Sequence, residues 1–407
     1  MIGRGSAWFR RIAAVVSPLG RSLLIAVPVA YFFGYRLGLV ELVAVAFAGT
    51  VLLLAAATHL VGSNASTVEI TVARSRVVVG QVATGQILAT NQTRHRLAGA
   101  RVEVAIGSGF TEIGLPSLAR GASSAHNLVL PTSHRGVFAI GPVRSVRADP
   151  IGLVRREIER AQATQLFVHP RTVGITSASS GLLRDLEGNA TRELSSNDVS
   201  FHALREYLPG DERRNIHWKS SAKTGTHMVR QFEVTRRSHL VIALSLAAAS
   251  FATADEFELA VSVAGSLGVR AIQDVNQVVV VVSAVTPQVA AGKEIALRSL
   301  NTRTRSRLLD DLSGLEQAES VLQITDLARL AAKEVSGISL AFLVCGSKTA
   351  AAELRAESNK FRLGVEVVAI YCDPNTIPGM RRVTGLSVLT IGKLEDLQKS
   401  LARAAVL

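Results

Sequence analysis

Residues 239–273 read HLVIALSLAAASFATADEFELAVSVAGSLGVRAIQ. The first eight, HLVIALSL, are almost continuously apolar and too short for an ordinary helix, as expected of a strand buried on both faces. After a Ser/Ala loop, ADEFELAVSVAGSLGVRAIQ carries apolar residues at three-to-four spacing, which predicts a helix over 254–273 with one face against a core. The alternation recurs: QVVVVVSA, ISLAFLVCG and GVEVVAIYCD are strand candidates, while TDLARLAAKEV, KTAAAELRAESNKF and KLEDLQKSLARAAVL are helical. Strands and helices in alternation predict an α/β domain over 239–407, a mainly parallel sheet covered on both faces, with ligands at the carboxyl ends of its strands. No G-x-G-x-x-G follows the first strand and no G-x-x-x-x-G-K-[ST] occurs, so the sequence gives nucleotide binding no support.

Upstream the period changes. Residues 63–150 alternate apolar and polar positions in short runs such as VEITVA, RVVVG, ARVEVAI and GVFAIGP. Gly, Pro, Asn and Ser punctuate them every eight to twelve residues by rough spacing, which predicts an antiparallel β-sandwich of immunoglobulin-like type. Residues 151–238 read as a linker and a motif-rich segment.

Two apolar blocks stand near the N-terminus, Leu23 to Tyr35 (LLIAVPVAYFFGY) and Leu42 to Val61 (LVAVAFAGTVLLLAAATHLV). The second has the roughly 20 residues a spanning helix needs; the first is short and spans only with help from Leu37 to Val40 or from snorkelling Arg21 and Arg36. A transmembrane hairpin over 22–62 is expected, after a basic segment at 1–21. Arg4, Arg10, Arg11 and Arg21 place both termini in the cytoplasm of a plasma-membrane protein. The sequons at Asn64, Asn91 and Asn189 matter only on an exported surface.

The 407-residue chain carries a net charge of +13, but aromatics are only 5% and no block of five like charges occurs. Stacking platforms for nucleic acid are therefore scarce, and an anionic membrane leaflet accounts for the sign equally well. Cys345 and Cys372 both lie in strand candidates and read as small core hydrophobes, with a bridge left open.

The densest chemistry is REYLPGDERRNIHWKSSAKTG, Arg205 to Gly225. Pro209-Gly210-Asp211 reads as a turn. NIHWK then alternates as an extended run, and Ser220 to Gly225 as one helical turn. Three uses compete. In the first, Asp211 and Glu206 pair with Arg205, Arg213 or Arg214, while Tyr207 and Trp218 bury their rings against the α/β domain. In the second, Arg205, Arg214, Lys219 and Lys223 form a docking surface framed by Tyr207 and Trp218. In the third, Asp211 and His217 act as acid and base, although no nucleophile or oxyanion device accompanies them. His202, His217 and His227 match no zinc spacing.

Three signatures resemble the bacterial family known as domain of unknown function 58. They are HRGVFAIGPVRSVRADPIGLVRRE (His134 to Glu157), LFVHPR (Leu166 to Arg171) and FHALREYLPGDERRNIHWKSSAKTGTHMVRQFE (Phe201 to Glu233). The resemblance implies a von Willebrand factor A-like fold for 239–407, and partners of the MoxR-type AAA+ ATPase and transglutaminase-like membrane classes. That fold holds a divalent cation through a D-x-S-x-S loop of oxygen ligands. Here Ser245 stands at the Asp position, and Ala247 and Ala249 at the Ser positions, so no metal and no cofactor are expected; Ser250, Thr253 and Asp255 lie nearby in the wrong register. The expected protein is a non-enzymatic membrane scaffold that docks a cytosolic partner. Its motif residues are Arg205, Tyr207, Gly210, Asp211, Arg214, His217, Trp218 and Lys219. A cell-envelope enzyme working through Asp211 and His217, and a basic nucleic-acid binder, are the alternatives.

Overall fold

The computed structural model describes residues 15–60, 66–97, 99–175, 194–195, 200–211, 213–233, 239–274, 277–283, 297–383 and 386–404. The sequons at Asn64 and Asn189 and the side chain of His202 lie outside the described residues. The chain divides into two compact units, Met1–Val168 and His169–Leu407.

The first unit opens with two helices, α1 (Pro18–Leu37) and α2 (Val40–Leu60). Both are long and apolar enough to cross a membrane. The first is longer than its apolar block because caps, not hydropathy, set its ends. The Ser17 side chain accepts the Gly20 N–H, Pro18 sits at the first helical position, and left-handed Gly38 closes the helix. Its 20 residues span about 30 Å. Leu24, Ile25, Phe32, Phe33, Val45, Phe47 and Leu54 are exposed on the outside of the pair.

Nine strands follow: β1 (Ser66–Val72), β2 (Arg76–Val78), β3 (Ala83–Asn91), β4 (Ala100–Ile106), β5 (Gly109–Leu115), β6 (Ser123–Leu130), β7 (Gly136–Ala148), β8 (Arg155–Ala161) and β9 (Thr164–His169). One sheet has the order β1-β3-β6; the other runs β2-β9-β7-β4-β5, with β8 also pairing β7. The inward faces share one core that includes Val68, Ile87, Val102, Val104, Ile140, Leu166 and Val168. The sheet does not end near residue 150 as the punctuation suggested. β7 runs for 13 residues, long enough to pair with β9 through its first half and β8 through its second. Asn91 is fully buried, its amide donating to the carbonyls of His95, Leu118 and Ala119, so this sequon is a structural loop lock.

The DPIGLV stretch joins these two parts of the unit. Asp149 is buried and accepts from Ile151 N (3.1 Å) and Val154 N (2.7 Å), fixing a tight turn. The turn presents the Leu153 carbonyl to Ser17 N at 3.0 Å, while Leu153 and Val154 pack with Ala56 and Leu23 of the helices.

In the second unit a small sheet, β10-β12-β11, is built from β10 (Leu194–Ser195), β11 (Ser200–Glu206) and β12 (Met228–Glu233). The helix α3 (Trp218–Thr224) lies between β11 and β12 in sequence. The large sheet contains β13 (His239–Leu244), β14 (Gln277–Ser283), β15 (Leu297–Ser299), β16 (Ile338–Gly346), β17 (Glu366–Cys372), β18 (Gly379–Val383) and β19 (Leu386–Ile391), in the order β15-β14-β13-β16-β17-β19-β18. The five central strands are parallel and the two edges antiparallel. Helices α4 (Ala254–Gln273), α5 (Arg305–Ser313) and α8 (Asp396–Ala404) contribute Phe257, Leu267, Leu308, Leu312 and Leu397 to the core on one face. On the other face, α6 (Ile324–Glu334) and α7 (Ala351–Ser358) contribute Ile324, Leu327, Ala331 and Leu354. The four strands expected from long apolar runs are all present. β15, β18, β19 and α5 are additions: the two edge strands are only partly buried, and α5 is short, so no long apolar run or helical stripe marks them.

Buried His169 anchors the start of this unit, its Nε2 2.8 Å from Asp310 Oδ1 on α5. Cys345 packs on one face of the sheet and Cys372 on the other. A bridge between them is thereby ruled out, since their side chains point apart. Burial pushes the Cys345 thiol up to about 12 and raises that of Cys372 well above its ordinary value. Iodoacetamide at pH 8 should therefore leave the native protein unlabelled and label both cysteines in denaturant, because only the thiolate reacts. Labelling of either thiol in the native state within minutes would contradict this burial.

Candidate functional site

The signature segment is built on a β-hairpin. β11 and β12 are antiparallel, with Arg205 opposite Val229 and Glu206 opposite Met228. The chain leaves β11 at Tyr207 and turns at Gly210, whose φ of 112° no other residue adopts readily. The turn is held by Asp211, which accepts Arg205 Nη1 (2.8 Å) and Nη2 (2.6 Å) in a bidentate pair and also the Leu208 N–H (2.8 Å). The Arg205 hydrogen bonds hold the Asp211 carboxyl below its ordinary value. A depressed folded value means that the clamp is complete above the usual carboxylate range and opens only as pH falls below it.

The next residues depart from the expected extended run. Arg213–Asn215 form a 3-10 turn, Ile216 makes a bridge to Val229, and the helix α3 begins at Trp218. His217 explains the change. Its carbonyl accepts Ser220 N, Ser221 N and Ser221 Oγ, its Nδ1 lies 2.7 Å from Ser220 Oγ, and left-handed Gly225 ends the helix. Local hydrogen bonding outweighs a weak alternation of five residues. Ser221 Oγ also receives Met228 N, tying α3 back to the hairpin.

Asp211 and His217 are thus not brought together; each is bonded to a different part of the turn. Trp218 departs from the first of the three readings. Its ring is not buried against the α/β core but is 64% exposed, edge-on to His227 at 5.9 Å, with Tyr207 edge-on to the same histidine at 6.4 Å. Lys219, Lys223, Arg213 and Arg214 of the same segment are also exposed, as is Leu208. The segment therefore splits in two: Arg205, Gly210, Asp211 and His217 hold the turn, while Trp218, Lys219 and Arg214 are exposed and Tyr207 is half-buried. His227 is exposed and edge-packed on aromatic rings, and the third histidine of that trio, His202, falls outside the described side chains.

The second cluster lies at the carboxyl end of the parallel sheet. Ser245 follows β13 and is fully buried, donating to Ser250 Oγ at 3.1 Å and accepting Ala247 N at 3.3 Å. Its hydroxyl is engaged inside the loop; Ala247 is buried, Ala249 exposed, and neither carries a ligand atom. Thr253 caps α4 and Asp255 is exposed in its first turn. Among the described residues, no group of three or more His, Cys, Asp or Glu could hold a metal ion.

The residue that sequence reasoning missed is Glu256. It is 2% exposed and accepts Ala252 N (2.9 Å), Ser347 N (3.1 Å) and Ser347 Oγ (2.8 Å). One carboxylate thereby joins the loop after β13 to the loop after β16. The T-A-D-E spacing at 253–256 is a helix-capping signal. Nothing in it shows that the carboxylate reaches across the sheet to residue 347.

Residues 203–300 match the family described as "Protein of unknown function DUF58". That match covers about a quarter of the 407-residue chain. The DUF58 match runs from β11 through the signature turn, β13, the Ser245 loop, α4 and β14 to the residue after β15. It includes Arg205, Asp211, Trp218 and Glu256, and stops short of Ser347. No curated protein matches the chain. Among solved structures, the chain is similar to the CARDB domain of a Pyrococcus furiosus protein, at 17% identity over 25% of this chain and 84% of that one, with a TM-score of 0.20. A beta-glucosidase from Listeria innocua follows at 12% identity over 26% and 17%, with a TM-score of 0.15. Beta-glucuronidase 2 from Bacteroides uniformis is 10% identical over 74% and 36%, with a TM-score of 0.15. TM-scores this low fix neither the fold nor an activity for this chain.

Proposed function

We propose that this chain is a membrane-anchored, non-enzymatic scaffold whose DUF58 segment docks a cytosolic protein. The reading has α1 and α2 as a transmembrane hairpin with both termini cytoplasmic, and the β unit as an immunoglobulin-like spacer. The second unit is a von Willebrand factor A-like domain without its metal. The observation that carries it is Trp218. A tryptophan two-thirds exposed, in a segment that also exposes Lys219, Lys223, Arg213 and Arg214, has the composition of an interface anchor, and Asp211 of the same turn is paired with Arg205. The exposed Leu, Ile and Phe side chains along α1 and α2 support the anchor, because a water-facing helix pair would bury them. By the family resemblance, the partner is a MoxR-type AAA+ ATPase, acting alongside a transglutaminase-like membrane protein.

Co-purification from detergent-solubilised membranes tests this. The wild-type chain is expected to recover an AAA+ ATPase. Trp218→Ala should weaken that complex by about thirtyfold, the effect of losing a 2 kcal/mol anchor, with an unchanged melting temperature. Arg214→Ala should weaken it less. Recovery of no AAA+ ATPase, together with wild-type behaviour of both variants, would refute the proposal.

A further inference from the structure

A cleft of about 370 Å³ opens at the carboxyl ends of β16 and β17, where ligands of open α/β sheets are received. Its origin is a row of cross-strand neighbours on one face of the sheet: Cys345 opposite Tyr371, Tyr371 opposite Thr390, and Thr390 opposite Gly379. Gly379 ends that row with no side chain, so the space above it stays open. Around it stand Thr349, Thr376, Asp373 and Arg381. Beneath lies Tyr371, 7% exposed, whose phenolic oxygen is buried and makes no hydrogen bond. Native proteins leave few buried polar atoms unpaired, and each such atom asks for a partner. Asp373 accepts Asn375 N at 3.0 Å within its own turn, and Arg381 is the one cationic side chain of the lining.

We propose that this cleft binds a small organic anion, a carboxylate or phosphate ester whose charged group meets Arg381 and whose polar groups meet the Thr376 and Thr390 hydroxyls. The Tyr371 hydroxyl then gains an acceptor as the ligand settles over it. The site is separate from Trp218 and independent of the docking role.

The full chain in detergent is titrated with inorganic phosphate, glycerol 3-phosphate, L-glutamate and malonate, following melting temperature and, for any positive probe, calorimetric binding. At least one probe should give a saturable rise, and comparing the phosphate with the carboxylate arms identifies the charged group. Arg381→Gln should weaken binding at least tenfold. Gly379→Leu should abolish it by filling the space; Gly379 is not in the left-handed region, and an added Cβ would meet only the Ile377 carbonyl at 3.9 Å. Neither change should alter partner recovery through Trp218. No saturable rise with any of the four probes, or a rise undiminished in both variants, overturns the proposal.

Discussion

Replacing Glu256 with alanine should lower the stability of the second unit by about 3–4 kcal/mol, among the larger effects of a single substitution. The side chain is nearly fully buried, and its removal strands the Ala252 and Ser347 amides together with the Ser347 hydroxyl. Hydrogen bonds to a charged group contribute about 1.5–3 kcal/mol each, and because Ala252 and Ser347 are exposed residues water replaces part of what they lose. For a unit of this size the melting temperature should fall by about 10 °C. Glu256→Gln keeps one acceptor oxygen but turns an NH₂ toward other donors, so it should lose roughly half as much. Asp255→Ala, one residue away and exposed, is the control and should stay within about 1 kcal/mol. The close approach of Gly346 is part of the same joint. A Cβ there would lie 2.5 Å from the Ser250 carbonyl and 2.7 Å from Glu256 Oε2, so Gly346→Ala should be at least as damaging. A loss below 1 kcal/mol for Glu256→Ala, measured by chemical denaturation, would show that the two loops are held by something else.

The other large effect is expected at Gly20. Its position would put a Cβ 2.1 Å from the Leu153 carbonyl oxygen and 2.9 Å from Val16 Cγ1. Neither the backbone oxygen nor the first turn of α1 can yield without breaking the 3.0 Å bond from Ser17 N to Leu153 O. Gly20→Val should therefore push the helix pair away from the DPIGLV turn, at about 2–4 kcal/mol from overpacking plus the lost bond. The same joint fails from the other side in Asp149→Ala, which leaves the Val154 and Ile151 amides without their acceptor. Hydrogen exchange at the Ser17 amide in detergent micelles reads both variants. Exchange as slow as in wild type in both would mean that the contact contributes nothing to holding α1.

Much of this fold is legible in the sequence. The four long apolar strands and α4 are present because burial on both faces demands unbroken apolarity, a pattern that survives any detail of packing. The apolar hairpin was equally plain. Weak or short elements were not. β18 is only partly buried and α5 has nine residues, so each takes its conformation from neighbours rather than from its own pattern. The boundary at 150 failed for a related reason, since β7 is recruited by three partners along its length and the turn after it continues the sheet instead of leaving it.

The signature segment divides in the same way. Its turn at Pro209-Gly210-Asp211 was readable because Gly and Asp act through their own backbone. The helical turn ended by Gly225 is legible, but its start at Trp218 instead of Ser220 is not, because the deciding bonds, Ser220 and Ser221 to His217 and Met228 N to Ser221, include one between residues seven apart that no local pattern records. Sequence by itself determined which residue types gather at each site, the Ser245, Ala247 and Ala249 loop among them, and the signature segment. Only the tertiary structure decided which of them are engaged and which are exposed: Arg205 closed on Asp211, Trp218 turned outward, Glu256 drawn across the sheet to Ser347. The reason is physical. Exposure and hydrogen-bond partners are properties of pairs distant in the chain, and a carboxylate or an indole carries no mark in its own residue of which side of a sheet it will face.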